Sequence, residues 1–99
     1  MNKLEEEKFK SAGIDIVDPL TTYIDPTVKL IGNNIIVNPN THIKGNTKIS
    51  SNCTIGPNSF LINAVINKNS KVIFSFIENS LVGENCEIGP YSRVRNKSS

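Results

Sequence analysis

The sequence predicts an all-β fold, a single-stranded parallel β-helix with a short α-helix before it. Two observations predict this fold. Aliphatic residues recur about every six residues from position 24 to position 94, and asparagine and small residues recur at fixed positions after them. A period of six matches neither a helix nor a strand, but it is the repeat length of a β-helix whose coils have three short sides.

Thirteen aliphatic residues, called anchors below, mark the period at spacings of five to seven residues. They are Ile24, Ile31, Val37, Ile43, Ile49, Ile55, Leu61, Ile66, Val72, Ile77, Val82, Ile88 and Val94. If each anchor lies directly above the one three places earlier, the anchors form three inward-facing columns that begin at Ile24, Ile31 and Val37. The chain then makes a little over four coils, stacked at the strand spacing of about 4.8 Å.

Asparagine stands three residues after many anchors, at Asn34, Asn40, Asn46, Asn52, Asn58, Asn69 and Asn85. A corner between two flat sides needs a positive φ, which asparagine tolerates better than other residues with a Cβ. Pro39-Asn40 and Pro57-Asn58 also suit the central positions of a type II turn. We expect these asparagines at the corners with a positive φ. The small residues that follow them should lie where the triangle narrows: Thr41, Thr47, Cys53, Ser59, Ser70, Cys86 and Ser92.

Three sides are shorter, because the anchors 61–66, 72–77 and 77–82 are only five residues apart. The most apolar stretch of the chain, "VIFSFI" at residues 72–77, falls in this region. Continuing the six-residue pattern places Phe74 at a corner and Phe76 in a position that is small elsewhere. We expect a local irregularity or a packed outer face here.

The predicted organisation is a short helix and linker remnant at residues 1–13, a β-helix at 14–95 and a tail at 96–99. Gly13 is placed to end the helix. An ordinary antiparallel sandwich is the alternative fold, but its turns recur every 8 to 12 residues, and six is too short for it. The period does not determine the handedness of the coil, and parallel crossovers are normally right-handed.

Composition excludes several classes of protein. A net charge of +2 with scattered charges gives no field for nucleic acid or an anionic membrane, so we expect neither partner. The charged N-terminus is unlike a secretory signal, which favours the cytoplasm. Cys53 and Cys86 form no CxxC motif and His42 is the single histidine, so we expect no metal site. Two coils should separate the cysteines by about 10 Å, leaving both reduced and buried.

The motif order "YID", "IKG", "IGP", "IENSLVG" and "IGPYSRVR" across residues 13–95 resembles one family in particular. It is similar to the start of the acetyltransferase domain of the bacterial bifunctional N-acetylglucosamine-1-phosphate uridyltransferase and glucosamine-1-phosphate acetyltransferase. The resemblance implies a left-handed β-helix and a role in making UDP-N-acetylglucosamine. It implies acetyl-CoA and magnesium for the whole family enzyme, and neither for the part that this chain matches.

The resemblance carries over one binding position and no catalytic residue. The second arginine of "RVR", Arg95, matches the residue that contacts the phosphate of the acetyl-transfer substrate. Strand alternation sends Arg93 and Arg95 outward on the same side, where a guanidinium could bind a phosphate. The family usually has proline next, where this chain has Asn96. The alternative interpretation is a solvated basic tail. His42 does not match the family's catalytic histidine.

These observations leave two functional hypotheses. The first is a truncated or split segment of the sugar-nucleotide enzyme that is inactive alone. The second is a non-catalytic β-helix scaffold or oligomerisation module for a partner chain that supplies the remaining domains. A complete small acyltransferase is disfavoured, because it would need a histidine between coils. In either case the resemblance and "VIFSFI" predict a homo-oligomer, a trimer, with weak sugar-phosphate binding at most.

Overall fold

The computed structural model describes residues 3–95, which form one helix and fourteen short strands. The helix is α1 (Lys3–Ser11). The strands are β1 (Ile14–Ile16), β2 (Tyr23–Ile24), β3 (Lys29–Leu30), β4 (Ile35–Val37), β5 (His42–Lys44), β6 (Lys48–Ile49), β7 (Thr54–Ile55), β8 (Phe60–Ile62), β9 (Val65–Ile66), β10 (Lys71–Val72), β11 (Phe76–Glu78), β12 (Leu81–Val82), β13 (Glu87–Ile88) and β14 (Arg93–Arg95).

Each strand pairs in parallel with the strand three places later in the chain, so the strands form three parallel sheets around one core. Sheet S1 contains β1, β4, β7, β10 and β13, sheet S2 contains β2, β5, β8, β11 and β14, and sheet S3 contains β3, β6, β9 and β12. The predicted left-handed parallel β-helix is confirmed. It has nearly five coils rather than a little over four, because β1 adds a strand that the anchors beginning at Ile24 did not include.

The predicted columns form the core, with one correction. Val37, Ile55 and Val72 are fully buried in adjacent coils of S1, as the register predicts. Ile31, however, is 50% exposed, and Leu30 takes its place by pairing with Ile49. The anchor at Ile31 is therefore wrong by one residue.

The reason for this error lies in the corner that follows Leu30. Gly32, at φ 99°, accommodates an extra residue there, so the side from Leu30 to Val37 is the long one. Two adjacent aliphatic residues made both registers compatible with the spacing. Ile35 is buried on this side, at the position that a small residue occupies in later coils.

Asparagines occupy the corners as predicted. Six of the seven predicted positions have φ between 53° and 62°: Asn34, Asn40, Asn52, Asn58, Asn69 and Asn85. Asn46 is the exception, because Gly45 before it takes the positive φ, at 68°. A residue without a Cβ adopts this conformation at less cost than asparagine, so the corner moves to the glycine.

On the three sides that are five residues long, the chain turns the corner one residue early. Asn63, Asn79 and Phe74 each have a positive φ two residues after the anchor instead of three. Phe74 therefore lies at a corner, as predicted. Phe76 does not occupy the small position: the early turn places Ser75 there, and Phe76 points out of the coil against Phe60.

Both cysteines are free, as predicted, but only one of them is buried. Cys53 is fully buried, and this burial raises the pKa of its thiol. Cys86 is half-buried, because its coil is the last described one and no further coil covers it in residues 3–95. The Cys86 burial prediction is therefore wrong.

The helix covers part of the opposite end of the solenoid. Gly13, with φ 82°, ends α1 as predicted, and Phe9 packs against the core while Leu4 stays 78% exposed. The predicted tail at residues 96–99 lies outside the described part of the chain.

Replacing Asn58 by valine tests the corner assignment. A β-branched residue at φ 53° is strained, so we expect the free energy of unfolding to fall by about 1–2 kcal/mol in thermal or urea melting. Asn46→Val is the matched control: Asn46 is also an exposed corner asparagine, but its φ is not positive. Equal losses in the two variants would show that positive φ is not what selects asparagine at these corners.

Candidate functional site

The outer face of sheet S2 carries a continuous stack of rings. Tyr23, His42, Phe60 and Phe76 occupy the same outward position in four successive strands, and we call them the ring column. Successive ring centroids lie 6.4, 6.2 and 5.1 Å apart, with interplanar angles of 29°, 20° and 6°. The four rings therefore form one continuous stacked row across the outer face of S2.

Arg93 completes this column in the last strand. It pairs with Phe76 in the register, and its guanidinium carbon lies 5.5 Å from the centroid of the Phe76 ring. This is a cation–π distance. Arg93 is exposed, and its contact with the Phe76 ring holds its guanidinium in place.

A second outward column lies two residues further along each strand, and we call it the charge column. It contains Lys44, Ile62, Glu78 and Arg95, and it is continued by Asp25, which directly follows β2 and whose amide donates to the Ile43 carbonyl. The Lys44 ammonium lies 5.5 Å from the Tyr23 centroid and 5.4 Å from the Phe60 centroid, so it contacts the ring column as well. The face therefore combines a nearly apolar stack with an ordered row of charges.

Arg93 and Arg95, the predicted phosphate-binding residues, lie on this face as strand alternation requires. Both are exposed, and they flank the inward Val94. The Arg95 Nε lies 3.5 Å from Glu78 Oε1, an ion pair with side chains 53% and 34% exposed. Arg95 therefore already has an anionic neighbour, and an incoming phosphate would compete with that carboxylate.

Asp25, at the other end of the charge column, is held as a carboxylate. Hydrogen bonds from the Tyr23 hydroxyl and the Gly45 amide lower the pKa of Asp25, and the same carboxylate raises the pKa of Tyr23. The Gly45 nitrogen donates to Asp25 Oδ2 at 2.8 Å. Because the folded-state pKa is lowered, any stability this contact provides is present at neutral pH and is lost as the pH falls through that pKa.

The ring column and Glu78 were missed by the sequence prediction. The sequence nonetheless contains a pattern that indicates the ring column, because each of its four residues stands immediately before an anchor of the inward column that begins at Ile24. Because side chains alternate along a strand, the period fixes the outward residues as well as the inward ones. The sequence prediction gave His42 no place in a site, and the structure places it between two aromatic rings.

A half-open cavity of about 380 Å³ lies where α1 meets the first coil. Its apolar lining comes from Phe9, Ile14, Ile24 and Leu30, with Lys8 among the charged residues at its edge. The cavity exists because the helix covers only part of the first core layer. It is separate from the arginine pair, which lies at the opposite end of S2.

Within residues 3–95, no cluster of three or more His, Cys, Asp or Glu side chains could hold a metal ion. No helix in this part of the chain is long and apolar enough to cross a membrane.

Comparison with known proteins shows relatives along nearly the whole chain. The bifunctional protein GlmU of Synechococcus elongatus is 40% identical over 89 residues, covering 90% of this chain and 20% of the relative. The corresponding protein of Acaryochloris marina is 45% identical over 97 residues, covering 94% of this chain and 21% of the relative. That of Caldanaerobacter subterraneus is 39% identical over 98 residues, covering 99% and 21%.

These relatives confirm the predicted resemblance to the bifunctional enzyme, and this chain spans about a fifth of their length. A second comparison matches residues 21–99 to the family described as the GMPPB C-terminal domain. That match begins just before β2 and takes in the strands that follow it. Since the match covers most of the sequence, the chain belongs to the GMPPB C-terminal domain family of hexapeptide β-helices.

Proposed function

We propose that this 99-residue chain is a β-helix segment of a sugar-nucleotide biosynthetic enzyme, contacting a sugar phosphate weakly and catalysing neither acetyl nor uridylyl transfer on its own. The observation that carries the proposal is the arginine pair at the end of sheet S2. Arg93 and Arg95 point outward from one strand with only Val94 between them. The similarity to bifunctional GlmU supports the substrate class, since the family resemblance assigns Arg95 a phosphate contact.

The arginine pair can bind a phosphate through charge-assisted hydrogen bonds. Outward side chains two residues apart on a strand are separated by roughly 6–7 Å, close enough for both to reach one phosphate group. The Phe76 ring fixes Arg93, and Glu78 holds Arg95 on the same face. Because both arginines are exposed and Glu78 competes, the contact is worth about 1 kcal/mol or less.

The proposal of no catalysis rests on the placement of the single histidine. His42 lies in the ring column between Tyr23 and Phe60. Strands β8 and β11 of sheet S2 separate its strand, β5, from the strand β14 that carries the arginines. This separation supports the proposal that His42 is not the base for a substrate held by Arg95 of the same chain. Neither acetyl-CoA nor magnesium takes part in the proposed function of this chain.

The second candidate function is a non-catalytic scaffold or oligomerisation module for a partner chain. The ring column favours it, because a row of four stacked rings on the outer face of a sheet is unusual for a surface that meets only water. The two candidates are compatible, since a homo-oligomeric segment could also present the arginine pair.

Titrating glucosamine 1-phosphate into the purified chain tests the first candidate. We expect weak binding, seen as NMR shift changes at Arg93 and Arg95, which Arg95→Gln reduces by up to about fivefold. Glu78→Gln should strengthen binding by a similar factor, because it removes the competing carboxylate. Acetyl-CoA-dependent product above a no-protein control would contradict the claim that the chain does not catalyse transfer.

Glu87→Gln is the matched control, because it removes one exposed carboxylate from sheet S1 instead of S2. It changes the net charge as Glu78→Gln does, so a comparable gain in both variants would mean that general charge, not the Arg95 contact, governs binding. Glucosamine without the phosphate should give no shift at the arginines.

A further inference from the structure

We propose that the N-terminal end of the solenoid binds an extended segment of a partner chain, which pairs with the edge of β2 and inserts one apolar side chain beside α1. This inference rests on the second candidate function, because it specifies where a partner chain attaches and by which contacts. It leaves the arginine pair accessible, since that pair lies at the other end of sheet S2.

The core layer of the first coil, formed by β1, β2 and β3, is only partly covered. Its inward residues are Ile14, Ile24 and Leu30, and α1 packs on the strand that carries Ile14. Ile14 is buried, whereas Ile24 and Leu30 are half-buried. Their partners in the second coil, Ile43 and Ile49, are fully buried. The helix therefore covers this layer above S1 and leaves it open above S2 and S3.

The edge of β2 next to this opening carries unpaired peptide groups. Within residues 3–95, β2 is the last strand of S2 at this end. The amides of Tyr23 and Asp25 both donate to carbonyls of the second coil, each at 3.0 Å. Because successive peptide groups of a strand face opposite edges, the amide and carbonyl of Ile24 face away from the second coil. Another extended polypeptide is the ligand that satisfies such an edge.

The cavity beside α1 accepts an apolar side chain from that segment. Ile24 and Leu30 form its floor and Phe9 lines it from the helix, around a volume of about 380 Å³. A second cavity of about 210 Å³ adjoins it and is lined by Thr22. Thr22 is 6% exposed, and its Oγ1 has no hydrogen-bond partner in the described part of the chain. Since buried polar groups are normally paired, the hydroxyl indicates that a polar group, such as a peptide bond, belongs in this space.

The charges around the two cavities favour a basic residue in the segment. Glu5 lines both cavities and Asp25 lines the larger one. Among the described residues that line either cavity, Lys8 is the only cation. A segment that reads basic, apolar, polar therefore complements this end, because its apolar residue points inward while its two neighbours point outward.

The first test titrates a blocked hexapeptide of sequence NTKISS into the full chain and follows the amide shifts by NMR. This sequence is that of residues 46–51, which contain the basic, apolar, polar run and an extended strand, β6. We expect shifts at Phe9, Ile24 and Leu30 and none at the arginine pair. Replacing the isoleucine of the peptide by glutamate should abolish these shifts.

Methylating single nitrogens of the peptide separates strand pairing from insertion of the side chain. In this solenoid, the outward residue that follows an inward one donates to the next coil, as Asp25 does after Ile24. N-methylation of the serine that follows isoleucine should therefore weaken binding about two- to tenfold, because it removes a donor to β2. N-methylation of the isoleucine is the matched control: its amide faces away from β2, so binding should not change.

Filling the cavity tests its part in binding. Ala12 is exposed and lines the cavity, so the larger side chain of Ala12→Leu should occupy the space. We expect peptide binding to weaken more than about fivefold while the melting temperature stays the same or rises. Ser11→Leu is the matched control, because Ser11 is also exposed but is not among the residues that line the cavity. It should bind the peptide like the wild type.

The outcomes distinguish this inference from the proposed binding of sugar phosphate. The absence of shifts at the N-terminal end with millimolar peptide overturns the inference alone, because sugar-phosphate binding is measured at the arginine pair. Shifts confined to the arginine pair also overturn it. Equal binding of the two methylated peptides overturns the pairing with β2, and the cavity is then a site for apolar groups of any kind. Binding that Ala12→Leu does not weaken overturns the assignment to this cavity.

Discussion

Ile55→Ala is expected to lower the free energy of unfolding by about 2–5 kcal/mol, the usual cost of truncating a buried isoleucine. Ile55 is fully buried at the centre of its column, between Val37 and Val72. A cavity there removes contacts to the coils above and below at once. Because each coil of a solenoid contacts only its neighbours, the central coils have no other elements to compensate.

Urea denaturation followed by circular dichroism measures this loss. Ile36→Ala is the matched control, because Ile36 lies on the same sheet and is level with Thr54, but points outward. We expect it to cost well under half as much, since its side chain already contacts solvent. If the two variants lose equal stability, the alternation of inward and outward residues on S1 is not what stabilises the coil.

The columns could be predicted from sequence because the inward position is chemically demanding. From Val37 to Val82, every predicted anchor is buried, and six of the seven predicted asparagine corners have the expected φ. Positive φ and zero exposure each admit few residue types, so the pattern of residue types reveals the geometry.

The register at the corner that follows Leu30 could not be predicted, because Leu30 and Ile31 are both acceptable in the core. Only the hydrogen bonds between coils decide between them, and the anchor pairing of Leu30 with Ile49 is not visible in the spacing. Likewise, the early turn at Phe74 depends on a bulky residue adopting φ 45°. No local preference predicts that conformation for phenylalanine.

The candidate site was predicted in part. Alternation placed Arg93 and Arg95 on one outer face, but Glu78, the partner of Arg95, lies far earlier in the chain and becomes its neighbour only through the pairing of β11 with β14. The ring column depends on the same coil-to-coil register. Residues that occupy the same position in successive coils are adjacent in space. Identifying those residues from the sequence requires knowing which sides of each coil are five residues long.

Gly56→Ala is expected to destabilise the chain by about 2–5 kcal/mol, from two causes that add. Gly56 has φ 90°, where a Cβ is strained by about 1–2 kcal/mol. A Cβ at this position would also collide with the Thr41 hydroxyl oxygen and come within 3.3 Å of the Asn38 carbonyl. Thr41 is fully buried, so it cannot swing aside without disturbing the coil, and such overpacking costs about 1–3 kcal/mol.

Gly83→Ala separates these causes from the general effect of adding a methyl group. Gly83 does not have a positive φ, and a methyl group added there would meet only Cys86 Sγ, at an ordinary contact distance of 3.6 Å. We expect its melting temperature to stay within a few degrees of the wild type, because a glycine without strain can gain stability from a more restricted unfolded state. A Gly56→Ala variant as stable as Gly83→Ala would mean that the corner after β7 relaxes freely, and that the close stacking of successive corners does not constrain the coil.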